Sequence, residues 1–343
     1  MTTEPNLPKS IIWRERPFPN SNFLLLLGEQ PSLIDSGFVA HAEHTAYLTR
    51  EFTTRLSWVA NTHWHSDHVG ANAILQQAGA QIAGSHSDAE SLFRTDPGCC
   101  VAEYLDQPVP RYTVDNPVGT GDRILLGDLQ WEVLSVPGHT PGHLAFWNAE
   151  HRLAAVGDTV TAHDVGWVNV MREGTRALDA ALDSLGRLQA LDAQLLLPGH
   201  GPLVTDPSSA IDNAIGRLER QRTRIDLAVS HGAKRILAFA LMIHGGMAAS
   251  ALDDYLTQCE WAQDAAAVVD KTVAEFSRDL VDSMLRGGGL TLRAGTLYAA
   301  ASSSPVDPEV FDLPFPRAWP QHPGQENRTG DRRHDTKDDT NER

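Results

Sequence analysis

The sequence predicts an α+β protein in three stretches: a mixed strand-and-helix domain over residues 1–207, a small, mainly helical domain over 208–300, and a tail over 301–343. Three observations lead there. Short apolar runs bounded by Gly, Pro or Asp alternate with helix-spaced segments up to about residue 205. After Pro207 the pattern turns into successive amphipathic helices. From about Ser302 the chain is Pro-rich and then charged, with almost no aliphatic residue beyond Leu313, a composition that predicts disorder. With 343 residues, 41% of them hydrophobic, the chain can fill one large core and a smaller one.

Taken in order, residues 23–27 and 32–35 read as a hairpin ending at Asp35-Ser36-Gly37, and 56–62 as a strand ending in Asn61-Thr62. Residues 70–78 are helical in pattern. Residues 124–126, 130–136, 143–147, 152–156 and 193–197 read as short apolar strands. Leu178, Leu182, Leu185 and Leu188 give residues 175–191 helical spacing. Beyond Pro207, Ile211, Ile215, Leu218 and Ile225 share one face of a long helix whose other face carries Arg217, Arg220, Arg222 and Arg224. Further helices are expected at about 234–243, 248–258 and 263–286. The last has Val269, Val273, Phe276, Leu280 and Met284 on one stripe. Gly287-Gly288-Gly289 stops it, and residues 290–299 read as a hairpin turning at Ala294-Gly295. Helices followed by a hairpin suggest a winged-helix-like unit.

The net charge is −16, and by segment about −13 over residues 1–216, close to zero over 217–300 and about −3 in the tail. An acidic surface repels polyphosphate backbones, so nucleic acid is disfavoured as a partner. Cys99, Cys100 and Cys259 cannot all pair within one chain, which points to reduced thiols and a cytoplasmic protein. The apolar run Phe23–Leu27 is too short for a membrane span or a signal-peptide core. Composition leaves homo-oligomerisation open.

The sharpest motif is Thr62-His63-Trp64-His65-Ser66-Asp67-His68, directly after an apolar strand. Residues two apart on an extended chain point the same way, so His63 and His65 can grip one ion together, while Asp67 and His68 turn toward a second. Imidazole and carboxylate donors suit zinc, and iron or manganese as well. His139 (in Val136-Pro137-Gly138-His139), Asp158 (in Val156-Gly157-Asp158) and His200 (in Leu197-Pro198-Gly199-His200) each follow an apolar strand, where a sandwich would bring strand ends together. His143 and His86 read as structural, and His163 as ordinary or pocket-lining. His244 and the thiols Cys99 and Cys100 read as ordinary and inert. Trp64 and Trp167 read equally as packing residues or substrate walls. The Arg217–Arg224 face reads as solvated, with an anionic acyl ester as the ligand it could hold.

In this order the motifs resemble the metallo-β-lactamase superfamily over roughly residues 20–205. The resemblance implies an αββα metallo-β-lactamase sandwich with the small winged-helix-like domain appended. It implies two metal ions per chain, zinc first: one on His63, His65 and His139, the other on Asp67, His68 and His200, with Asp158 bridging. It also implies that Asp35 supports the site from behind. An Asp at position 158, where the zinc β-lactamases of the superfamily carry Cys, resembles the hydroxyacylglutathione hydrolases, lactonases, thioesterases and nucleases. No residue departs from the seven-ligand pattern. The helical extension resembles a branch that mixes thioesterase-like hydrolases with an endoribonuclease.

The chemistry expected is hydrolysis of a small acyl thioester, ester or lactone. A water shared between two divalent cations titrates near pH 7 rather than about 16, and the hydroxide attacks the carbonyl. Asp67 is the expected catalytic side chain, orienting the hydroxide or passing a proton to the leaving group. The alternatives are a metal-dependent endoribonuclease, an iron-dependent persulfide-type dioxygenase with one ion, and a binding module on an inactive fold. The segments 61–72, 136–143, 156–166 and 197–203 contain no Lys or Arg, which favours a small-molecule acyl substrate over a chain of phosphates.

Overall fold

The computed structural model describes residues 7–93, 102–107 and 109–307. Cys99, Cys100 and everything beyond Asp307, including the expected disorder there, lie outside the described residues. The first sheet has six strands in sequence order: β1 (Ile11–Arg14), β2 (Phe23–Leu26), β3 (Ser32–Ile34), β4 (Trp58–Ala60), β5 (Gln81–Ser85) and β6 (Asn116–Val118). It is antiparallel from β1 to β3 and parallel from β3 to β6. The second sheet runs β11 (Leu195–Pro198), β10 (Leu153–Gly157), β9 (Leu144–Asn148), β8 (Leu129–Ser135), β7 (Arg123–Leu126), with only β10 and β11 parallel.

Strand side chains alternate between two cores, which is why these strands read as unbroken apolar runs. Leu24, Leu26, Ile34, Ala60 and Ala83 face Trp131, Val133, Phe146, Leu153 and Leu197 across the space between the sheets. Phe23, Leu25, Leu33, Val59 and Ile82 face outward, onto Ala46 of α1 (Ala42–Arg50) and Leu75 of α3 (Asn72–Gln77). On the other side Ala154, Val156 and Leu196 meet Leu178 and Leu185 of α7 (Arg176–Ala190). Helix, sheet, sheet, helix is therefore the layer order. The short α2 (Ser66–Val69), α4 (His86–Phe93), α5 (Ala102–Leu105) and α6 (Val170–Glu173) lie in the connections.

The C-terminal part holds α8 (Pro207–Thr223), α9 (Ile225–Ile243), α10 (Ala249–Gln258), α11 (Glu260–Val268) and α12 (Val273–Arg286). A three-stranded sheet of β12 (Met247–Ala248), β14 (Thr296–Ala299) and β13 (Leu290–Arg293) completes it. Two helix boundaries differ from expectation. Arg224 is extended (φ −133°, ψ 83°), so the long helix ends at Thr223 and Ile225 opens a separate one. The expected 263–286 helix is two helices, broken at Asp270 (φ 54°) and restarted by a capping box of Thr272 and Glu275. The expected 70–78 helix is α3, over 72–77, with the separate α2 just before it. Between them Gly70 lies against the backbone of residues 37–39, where a Cβ would sit 2.2 Å from Val39 N. Residues 301–307 also depart from the expected tail. Ser303 pairs with Phe18, and Ser304 N donates to Phe18 O at 2.6 Å.

Candidate metal centre

All the expected ligands follow strand ends on one edge of the sandwich. Residues 61–68 follow β4, His139 follows β8, Asp158 follows β10 and His200 follows β11. The ligand atoms of His63, His65 and His139 lie within 4.8 Å of one another, and so do those of Asp67, His68 and His200. His63, His68 and Asp158 form a third such group that joins the first two. The Asp158 carboxylate stands between them: Oδ1 is 3.4 Å from His68 Nε2, and Oδ2 is 3.6 Å from His139 Nε2 and 3.7 Å from His200 Nε2. Asp67 Oδ2 is 3.1 Å from His200 Nε2. Two glycines permit this closeness. Gly157 turns the chain at the end of β10 with φ +50°, and a Cβ on Gly199 would lie 2.3 Å from Asp158 Oδ1.

The surrounding hydrogen bonds fix which nitrogen each ring presents. Asp35 accepts from the Thr62 backbone N–H at 2.8 Å and from the Thr62 hydroxyl at 2.7 Å. With its proton committed to Asp35, that hydroxyl can only accept from His63 Nδ1, 3.0 Å away, which leaves the Nε2 lone pair of His63 facing the cluster. His68 Nδ1 donates to Asp35 at 2.8 Å, and His139 Nδ1 donates to Trp167 O at 2.7 Å, with the same result for each. Burial, reinforced by neighbouring imidazoles, holds His63 well below the usual histidine range and His65 at about 3. Burial likewise lowers His139. For His68 burial also opposes the charge, but Asp158, Asp35 and Asp67 outweigh it and hold the ring well above that range, so a bound cation would take the place of the proton on its Nε2. Burial works against ionisation of Asp67 and Asp158, yet His68 and His200 keep both below the usual carboxylate range. The donor set fits a divalent cation. His139 Nε2 and Asp158 Oδ1 are sealed from solvent without a hydrogen-bond partner, a costly state unless something charged meets them.

His143 belongs to none of these three groups. It stacks on His63 (4.6 Å, 19°), and its Nε2 accepts from the Asp158 backbone N–H at 3.1 Å, tethering the loop that carries Asp158. His86 opens α4, and His244 faces Asp106 at 3.3 Å. Trp64 packs into the outer core against α1 and α3, not the site. Trp167 is the wall residue: its indole stacks on His65 (5.6 Å, 7°).

The cluster opens into a cavity of about 430 Å³ that His65, Asp67, Asp158 and His200 line at one end. The sequence gives no signal for most of its remaining walls. Ile236, Phe239 and Met242 of α9 form one side, and His163 and Trp167 belong to the loop after Asp158. Phe18 stacks on His200 (4.5 Å, 15°). Arg235 lines the cavity too, but its guanidinium is engaged by Asp164, which also meets Arg217 at 2.9 Å and His231 at 3.4 Å. Of the four arginines on the expected helix face, only Arg217 reaches this cluster. Arg222 pairs with Asp179, and Arg224 with Asp226.

Comparison with known proteins agrees with this geometry. The sequence pattern of the metallo-beta-lactamase superfamily matches residues 16–200. Over 84% of its length the chain is 24% identical to an atrochrysone carboxyl ACP thioesterase from Aspergillus fumigatus, covering 83% of that protein. Over 42% of its length it is 35% identical to a hydroxyacylglutathione hydrolase from Rhodospirillum rubrum, of which it spans about half (48%). A metallo-beta-lactamase family protein from Thermus thermophilus shares the fold at a TM-score of 0.50 and 18% identity, over 86% of this chain and 100% of the other.

Proposed function

This chain belongs to the metallo-beta-lactamase superfamily and is a hydrolase of it, and from that premise we propose that it cleaves an acyl thioester, ester or lactone with an apolar acyl group. The observation that carries the reading is the Asp158 carboxylate, set within 3.7 Å of imidazoles from two ligand groups at the mouth of an apolar cavity. In this reading His63, His65 and His139 hold one ion, Asp67, His68 and His200 hold a second, and Asp158 serves both. Zinc suits the donors first, and iron or manganese suits them as well. Bound ions supply an activated water at neutral pH and polarise the scissile carbonyl.

The chain's own residues do the rest. Asp67, charged and facing the cavity, is placed to orient the attacking water and to return its proton to the leaving sulfur or oxygen. Ile236, Phe239, Met242 and Trp167 offer the acyl group an apolar bed and keep bulk water from the carbonyl. Among the described residues the one guanidinium in the cavity wall is Arg235, already engaged by Asp164, which disfavours a polyphosphate substrate. The relative from Aspergillus fumigatus is named a thioesterase, and its match spans most of both chains. The test is side-by-side turnover of acyl thioesters, lactones and single-stranded RNA by one zinc-loaded preparation, with elemental analysis. We expect two metal ions per chain and acyl hydrolysis that disappears in His65→Ala. RNA cleavage lost in His65→Ala, with no acyl hydrolysis, would overturn the reading.

A further inference from the structure

We propose that Gln107 is a substrate-binding residue whose side-chain amide donates a hydrogen bond to the acyl carbonyl oxygen. The inference rests on the acyl-hydrolase reading and goes beyond it, because Gln107 belongs to none of the ligand loops. It lies just after α5, in a short stretch that the sequence leaves unmarked.

Gln107 lines the same cavity as His65, Asp67, Asp158 and His200, yet it is only 7% exposed. Its Oε1 is committed, accepting from the Ser66 hydroxyl at 2.8 Å, and Ser66 sits between His65 and Asp67 in the sharpest ligand motif. Among the described residues that is the side chain's one hydrogen bond, so both donors of Nε2 are free in a nearly buried amide. Nε2 is not sealed like His139 Nε2 but opens to the cavity, where a ligand oxygen can take the place of water at little cost. The cavity already presents the carboxylates of Asp67, Asp158 and Asp164. It needs a neutral donor, and Nε2 supplies one at the end where the ligand groups open.

The segment carrying Gln107 is fixed from the C-terminal helices. Tyr104 OH donates to Asp264 of α11 at 3.0 Å, and Arg172 lies over the Tyr104 ring at 5.3 Å. Tyr255 OH of α10 donates to Asp106 at 3.1 Å, and His244 Nε2 donates to the same carboxylate at 3.3 Å. The Gln107 backbone N–H closes the turn on Ala102 O at 2.8 Å. A donor held this way is preorganised, which makes it worth most as charge develops. As the water oxygen bonds to the acyl carbon, the carbonyl π pair moves onto oxygen, and the Nε2–H bond to that oxygen strengthens. The C–S bond then breaks with its pair on sulfur, and the proton lost by water ends there, giving an acid and a thiol.

The experiment compares wild type with Gln107→Glu and Gln107→Met, all zinc-loaded. Glu keeps the acceptor for Ser66 and removes the donor, whereas Met removes both. With benzoyl N-acetylcysteamine as substrate, both variants should lose about 100-fold in kcat, the usual cost of one oxyanion donor, with KM raised by no more than about fivefold. Binding of the inert ketone in which a methylene replaces the sulfur, followed by calorimetry, should weaken about fivefold in both. Metal content should stay at the wild-type value. Near-wild-type kcat and ketone affinity in Gln107→Glu, with losses only in Gln107→Met, would show a mere prop for Ser66 and overturn the proposal. So would falling metal content in either variant. If wild type does not turn over the thioester but binds the ketone in a Gln107-dependent way, the hydrolase reading fails and the donor assignment stands. Ketone binding indifferent to Gln107 sinks the assignment whatever the turnover.

Discussion

Asp35 touches both the Thr62 backbone and the Thr62 hydroxyl, and it accepts from His68 Nδ1 at 2.8 Å. Through these bonds one buried carboxylate sets the tautomers of His63 and His68, one in each ligand group. Asp35→Asn keeps the shape but supplies a single acceptor oxygen where three donors converge. We expect metal affinity to fall by about 10–100-fold, as for other supports behind a ligand, while the fold survives; competition with a chromogenic chelator measures it. The proposed ligands are legible in the sequence because each follows an apolar strand at a Gly-rich or His-rich turn. The Thr62 relay and Gln107 are not, since a hydroxyl and an amide carry no spacing signal and gain their roles only from neighbours distant in sequence. Asp88 shows a different effect. It is buried beside the Gly142 turn, its Oδ1 has no partner, and burial pushes its carboxyl up to about 7. The native state therefore keeps a proton that the unfolded chain releases near pH 4. Stability from this group is complete below that pH and is lost as pH rises to about 7, by on the order of 4 kcal/mol. Asp88→Asn removes that loss, so its melting temperature should exceed the wild-type value at pH 8 and approach it at pH 4. An equal difference at both pH values would contradict the assignment.

Among the elements, the two-sided strands and α7 are legible because the alternation and the helical spacing are strong. The strands β1, β5 and β6 escape notice: β6 is three residues long with a proline at its centre, and β5 holds Gly84. Helix α9 carries more of the site than its apolar sequence suggests, because a helix buried on most sides has no polar stripe to mark its facing. Its Gly232 lies against Trp167, where a Cβ would sit 3.2 Å from Cε3, and the same indole stacks on His65. A larger side chain there must displace the indole that lines the cavity. Gly232→Val should thus cut kcat/KM for a benzoyl thioester at least tenfold while leaving an acetyl thioester within about threefold. Parallel losses on the two substrates would mean that Trp167 is not the wall for the acyl group.

At the scale of the whole chain, composition separates the acidic first stretch from the neutral second one and says nothing about how they join. Residues 208–300 stand as a proposed second domain, but their core is continuous with that of the sandwich. Val156, Leu178, Leu185 and Leu196 belong to the same buried cluster as Leu218, Leu237, Trp261 and Leu280. Segment 102–107 and the Asp164 cluster add polar ties across the same boundary. The sequence hides this because a helix face buried against another helix looks alike whether the partner lies in the same domain or the next. Suppose the chain ended at residue 206. Val165, Val168, Val170, Met171 and Leu188, all at most 9% exposed, belong to the cluster that the C-terminal helices complete and would lose part of that cover. Fully burying such a side chain is worth about 2 kcal/mol, so losing half of that at five positions costs roughly 5 kcal/mol. That is comparable with the whole stability of a typical domain, about 5–15 kcal/mol. Full-length protein should therefore unfold in one calorimetric transition whose van't Hoff and calorimetric enthalpies agree. The 1–206 fragment should show no cooperative transition and weak near-ultraviolet dichroism. Two resolved transitions in the full chain, or a fragment that melts cooperatively with zinc bound, would show instead that the sandwich folds alone and that the helices are an accessory to it.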